Sequence, residues 1–180
     1  ILGIVLYLLI PVTASGVAQQ PAVLWLILFY AVVMLIFTLY GGGFATIPAY
    51  LADLFGTRFV GGIHGRLLTA WSVAGVLGPW CITWLRARSI RAAIDDLVPV
   101  IDPARFQNVF GAPVAQLETL VQSKTVTLSK LMELAPAGTI DPTSTVYNST
   151  MLMMAGLLFF ALVANLLVRA VDPKHYLPEE

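Results

Sequence analysis

The sequence predicts an all-α membrane protein: four transmembrane helices, with a long, partly helical segment set before the last of them. Three observations carry that expectation. Hydrophobic residues make up 58% of the 180-residue chain and charged residues only 11%, a balance too apolar for an ordinary water-soluble domain. No charged side chain occurs before Asp53. The apolar stretches also reach or approach the ~20 residues that a helix rising ~1.5 Å per residue needs to cross a ~30 Å hydrocarbon core.

The first span covers 1–18, is broken by Pro11, and ends in the polar turn Gln19-Gln20-Pro21. It opens on Ile1-Leu2-Gly3-Ile4 without an initiator methionine or a basic stretch. A secretory signal needs that basic start, so the chain is expected to begin inside a membrane helix of a longer protein. The second span, 22–52, is longer than a crossing requires and must tilt, kink or protrude. Gly41-Gly42-Gly43 and Pro48 supply reasons for a kink, since glycine relaxes the backbone and proline removes an intrahelical hydrogen bond. The third span, 61–86, has its apolar part at 67–85 and is left through Arg86-Ala87-Arg88. The last, 150–170, closes with Arg169 and a polar tail, 171–180, whose basic groups suit lipid headgroups.

Residues 89–149 carry about half of the charged side chains and form more than a connector. Asp102-Pro103 has the pattern of an N-cap followed by proline at the first helical position. Val114, Leu117, Val121, Leu128 and Leu131 recur at helical spacing. Two or three short amphipathic helices lying against the membrane or the bundle are expected, as a cap over the bundle's end. Asn148-Ser149-Thr150 matches a glycosylation acceptor, but it abuts the membrane and the pattern is common by chance.

Composition excludes several functions. Ten basic and ten acidic residues leave no net charge and no basic arm for nucleic acid. Cys81 is alone, which rules out an internal disulfide and any multi-cysteine zinc site. The chain has no nucleophile elbow, phosphate loop, zinc signature or dinucleotide fingerprint. The spans hold no paired carboxylates, and His64 and His175 are isolated. An enzyme is not expected, nor a catalytic residue, metal or cofactor.

Small residues Gly41, Ala45 and Ala49 repeat every fourth position on the second span, and Ala70, Ala74 and Gly78 do so on the third. Such stripes let helix backbones approach closely, as a static bundle or as surfaces that slide during transport. Asp53 and Arg58, in the link between spans two and three, and Arg66 beyond it are candidates for gating or for anchoring topology. An ion pair formed in one conformation only biases a two-state equilibrium. His64 reads as an interfacial anchor. Tyr40, Thr46, Tyr50, Thr69, Trp71, Ser72 and Asn165 place polar groups inside the spans, where each needs a partner or a wet cavity. Singly they suit helix–helix hydrogen bonds. As a group they suggest a cavity for a small anion, with Tyr40 and Trp71 lining it and Thr69 and Ser72 donating hydrogen bonds.

The run from Tyr40-Gly41-Gly42-Gly43-Phe44-Ala45-Thr46-Ile47-Pro48-Ala49-Tyr50 through Leu51-Ala52-Asp53-Leu54-Phe55-Gly56-Thr57 resembles the oxalate/formate antiporter family of the major facilitator superfamily. Ile63-His64-Gly65-Arg66, Thr69-Ala70-Trp71-Ser72 and the tail Val171-Asp172-Pro173-Lys174-His175 are similar to that family as well. The resemblance covers most of the chain outside 89–150. It implies that the four spans correspond to TM9 to TM12 of a twelve-helix secondary transporter, whose remaining helices complete the bundle. It also implies alternating access around a central site for small carboxylates. Oxalate exchangers of the family carry a lysine within TM11, whereas the third span here has none and shows Trp71 near that place. The implied cargo is therefore a monocarboxylate such as pyruvate, lactate or formate rather than oxalate. By the same resemblance the protein sits in a bacterial cytoplasmic (inner) membrane, with the Asp53 to Arg66 link and the C-terminus in the cytoplasm and 89–150 outside. Arg86, Arg88 and Arg91 on that outer side run against the positive-inside tendency, which long translocated segments partly escape. The alternative is a non-transporting membrane subunit or fragment whose outer segment binds a partner.

Overall fold

The structure, a computed structural model, describes residues 1–20 and 22–168. Every regular element among them is helical. Four helices are long and apolar enough to cross a membrane. They are α1 (Leu2–Gln19), α2 (Val23–Phe55), α3 (Val60–Leu97) and α7 (Asn148–Leu166). Between α3 and α7 lie α4 (Pro103–Phe110), α5 (Leu117–Gln122) and α6 (Leu128–Leu134), with short 3-10 turns between them. This is an all-helical membrane protein. The Pro21 position and the tail, 169–180, with Arg169, Lys174 and His175, lie outside the described residues.

Three boundaries differ from the sequence reading. Pro11 does not break the first span, because α1 runs through it. Proline's fixed φ is itself helical, and its cost is one missing N–H for the carbonyl of residue 7. Two residues on, the buried Thr13 hydroxyl donates to the Leu9 and Ile10 carbonyls at 3.0 and 3.1 Å, keeping its own polar atom satisfied in apolar surroundings. Second, α2 runs beyond 52 to Phe55, with Gly41-Gly42-Gly43 and Pro48 inside the helix. At 33 residues it is roughly 50 Å long, well beyond a hydrocarbon core. It stops at Gly56, whose φ of 75° is a conformation that side chains disfavour. A 3-10 turn, Thr57–Phe59, then leads into α3. Third, α3 does not end at Arg86 but continues to Leu97. The charges there mark where the apolar stretch ends, not where the helix does.

The chain forms two compact units, 1–82 with 150 onward and Thr83–Ser149. In the first, α1 and α2 pair as an antiparallel hairpin. Gly16 faces Trp25 near the turn and Gly3 faces Leu39 at the far end. A Cβ at Gly16 would stand 2.4 Å from the Trp25 ring, so only glycine allows the indole to lie against the α1 backbone. The indole N–H of Trp25 donates to Gln20 Oε1 at 3.2 Å, which fixes the ring at the turn. Leu158 of α7 also reaches Gly3. Little of this unit is self-buried: within the most apolar window of each span, 11%, 6%, none and 11% are covered. Water would penalise such exposure heavily, whereas acyl chains do not.

The unit Thr83–Ser149 has a different logic. Its short helices close round a core of their own. Ile94 and Leu97 on the end of α3 join Phe106, Phe110, Val126 and Leu131, with Phe106 and Leu131 fully buried. The rings of Phe106 and Phe110 lie 4.6 Å apart. Of the stripe read from the sequence, Leu128 and Leu131 are buried, while Val114, Leu117 and Val121 pack on the core's margin. The Asp102 side chain does cap α4, accepting from the Ala104 N–H at 3.0 Å, with Pro103 at the first helical position. Thr127 caps α6 through the Lys130 N–H. An exposed ion cluster ties α3 to α5: Arg91 pairs with Asp95 at 3.2 Å and also with Glu118.

Candidate functional site

In the membrane unit the polar side chains that the sequence singled out fall into three groups. Tyr40 and Trp71 do come together. Their ring centroids lie 5.7 Å apart, and Phe44 completes the contact at 5.4 Å from Tyr40 and 4.4 Å from Trp71. This aromatic trio is the contact between α2 and α3. Tyr40 and Trp71 remain about half exposed, so the cluster opens outward instead of forming a sealed core. Edge-on ring pairs of this kind hold two helices in register while leaving faces for a further group.

The hydroxyls behave differently. Thr46 donates to the Gly42 and Gly43 carbonyls at 3.0 and 3.2 Å, Thr69 to Arg66 at 2.6 Å, and Ser72 to Leu68 at 3.1 Å. A hydroxyl has one proton to give. In this conformation Thr69 and Ser72 spend it on their own helix. Either must rotate off its carbonyl before it can serve a ligand. Tyr50 is exposed on α2, apart from the aromatic trio.

The gating candidates are also apart. Among the described residues no ion pair joins Asp53 to Arg58 or Arg66, and the Arg58 guanidinium lies 5.6 Å from the Phe59 ring centroid instead. The small-residue positions Gly41 and Gly78 have open space where a Cβ would stand, and Ala45, Ala49, Ala70 and Ala74 are exposed. Both stripes are therefore uncovered faces within the described residues.

Two features were not foreseen. One is a cleft of about 490 Å³ between α1, α2 and α7, apolar apart from Tyr7, Tyr40 and Asn165. That volume suits a small molecule, and a mostly apolar wall with few polar groups is the usual form of a ligand pocket. Tyr40 belongs both to this cleft and to the aromatic trio. Tyr7 was missed because a lone tyrosine in an apolar span carries no pattern. The other is His64, whose Nδ1 is buried with no hydrogen-bond partner among the described residues. Buried polar atoms are almost always paired, so an orphan imidazole nitrogen on a membrane helix is more than an interfacial anchor requires. Among the described residues no cluster of acidic, histidine or cysteine side chains has a metal-site arrangement. Comparison with known proteins adds no relative: no family model, no curated protein and no solved structure matches this chain.

Proposed function

We propose that the chain forms part of a secondary transporter of the major facilitator type that moves small carboxylates by alternating access. Monocarboxylates such as pyruvate, lactate or formate are the preferred cargo. The observation that carries the reading is the Tyr40, Phe44 and Trp71 cluster. It joins α2 to α3 within the run that resembles the oxalate/formate antiporters, and it opens beside a cleft of ligand size. Two further observations support it. The uncovered small-residue stripes are surfaces on which other helices pack closely, and lipid chains gain nothing from them. The spans also lack any fixed cation among α1, α2 and α7, which suits a singly charged cargo better than a doubly charged one.

The parent protein in proteoliposomes preloaded with pyruvate is expected to exchange it for external pyruvate, lactate or formate, and oxalate poorly. Absence of exchange with every short carboxylate sinks the proposal. Trp71→Lys should raise oxalate exchange relative to pyruvate by about tenfold, the equivalent of ~1.4 kcal/mol in differential binding. An unchanged ratio would separate Trp71 from cargo selection. The proposed setting is a bacterial inner membrane with Thr83–Ser149 outside and the C-terminus in the cytoplasm. In a Cys81→Ser background, the exposed position Ala137→Cys should react with an impermeant maleimide added to intact cells. Labelling only after the inner face is opened reverses the orientation.

A further inference from the structure

Another cavity, of about 630 Å³, lies wholly within the unit Thr83–Ser149, and its lining divides by exposure. The buried part is apolar: Ile94, Val126, Leu128 and Val146. The exposed part is cationic, with Arg86 and Lys124, and no acidic side chain lines the cavity. Arg91 also borders it, but its charge is already engaged by Asp95 and Glu118. Arg86 and Lys124 are not so engaged. The Arg86 guanidinium sits 5.8 Å from the Tyr147 ring centroid, a contact that orients the group without neutralising it. Lys124 has no ion-pair partner among the described residues.

Lys124 is also the one non-glycine residue with a positive φ, 57°, among those described. Glycine or asparagine would occupy that conformation with less strain. The backbone is held there by the Lys124 N–H to the Val121 carbonyl at 3.0 Å and by the next two N–H groups, which both donate to Leu120. These bonds close α5 with Lys124 in the left-handed position after the cap, and the side chain there lines the cavity. Hydroxyls of Ser129 and Thr143 add donors for an oxyanion.

We infer that this cavity binds an amphipathic monoanion: a carboxylate or phosphate headgroup held by Arg86 and Lys124, with a short apolar chain laid over Ile94, Val126, Leu128 and Val146. Neither half of the lining accounts for the other without such a ligand, because a dry core needs no free cations and an anion site needs no apolar floor. This goes beyond the carrier reading and stands without it, since the cavity shares no residue with the membrane cleft.

The test uses the full chain in phosphatidylcholine nanodiscs, titrated calorimetrically with decanoate against empty discs. Saturable binding is expected, weakened at least tenfold in Arg86→Gln/Lys124→Gln. It should be unchanged in Arg88→Gln, whose guanidinium lies instead over the Trp84 ring. Decanol, with the same chain and no charge, should bind at least tenfold more weakly to the unaltered protein, a comparison that holds even where the double variant fails to fold. In discs containing phosphatidylglycerol, native mass spectrometry distinguishes the sources. Retained lipid that decanoate displaces assigns a lipid headgroup, and decanoate binding without retained lipid assigns a free carboxylate. Absence of saturable binding, equal affinity of a folded double variant, or equal affinity for decanol overturns the proposal.

Discussion

Phe106→Ala is expected to unfold α4 and α6 and to leave the α1–α2 hairpin untouched. Phe106 has no exposed surface and stands in a cluster that includes Ile94, Leu131 and the tilted Phe110 ring. Truncating such a ring removes its transfer free energy and leaves a cavity, a combined cost of about 3–5 kcal/mol. A core this small rarely supplies more than ~3–5 kcal/mol in all, so the loss consumes most of what holds the unit together. Hydrogen exchange followed by mass spectrometry checks it. Amides of α4 and α6 should lose their protection, while those of α1 and α2, which share no core with Phe106, keep theirs. Val109→Ala on the same helix is the control, because Val109 is 57% exposed and its truncation should move stability by no more than ~0.5 kcal/mol. Persistent protection of α4 in the Phe106 variant would mean that the core does not hold this unit together.

That result bears on what the sequence could disclose. The four spans were legible because hydropathy reports the solvent, and each has a long apolar stretch that the rest of the chain barely covers. The end of α3 was not, because a hydropathy drop at Arg86 marks a change of solvent and says nothing about backbone conformation. The clue was present in Ile90, Ile94, Leu97 and Val98, spaced for one face of a helix that continues in water. The N-cap at Asp102 was readable, since capping is a local bargain between a side chain and the next two residues. The core of Thr83–Ser149 was only half readable. Leu128 and Leu131 belong to one helical stripe, but Ile101, Val126 and Val146 each come from a different turn and meet only through tertiary packing.

The candidate site divides along the same line. Tyr40 and Trp71 were singled out from their residue types as cavity-lining groups, and their rings lie in contact. Spacing does not decide the role of Thr69 and Ser72, because a hydroxyl on a membrane helix turns to its own carbonyl, as both do here, or to a ligand. The Lys124 cavity left no trace in the sequence at all. Arg86 is far along the chain from Lys124, and nothing local records that the residue closing α5 brings its cation there.

The hairpin contact at Gly16 was equally silent, although Gly16 and Trp25 stand close in sequence near the facing ends of α1 and α2, and it supports the second large effect. Gly16→Ala is expected to destabilise the α1–α2 hairpin even though alanine is the better helix former by up to ~1 kcal/mol. The added Cβ would meet Cδ2, Cε3 and Cε2 of Trp25 at 2.4, 2.5 and 2.9 Å, and an indole is too rigid to give by bending. Overpacking of this kind costs about 1–3 kcal/mol, and the helix-propensity gain works against it, so the sign of the change is itself diagnostic. Trp25→Ala removes the obstacle. The double variant Gly16→Ala/Trp25→Ala should therefore be more stable than the sum of its parts by about 1–3 kcal/mol, a coupling that only residues in contact show. Thermal unfolding in detergent, read by helical dichroism, supplies all four corners of that cycle. The functional consequence follows from the same geometry: α1 carries Tyr7 and α2 carries Tyr40, so pushing the helices apart near their turn should widen the cleft these two rings share. Additive energies, with Gly16→Ala more stable than the parent, would show that the indole does not rest on the α1 backbone and would remove the structural basis for that cleft.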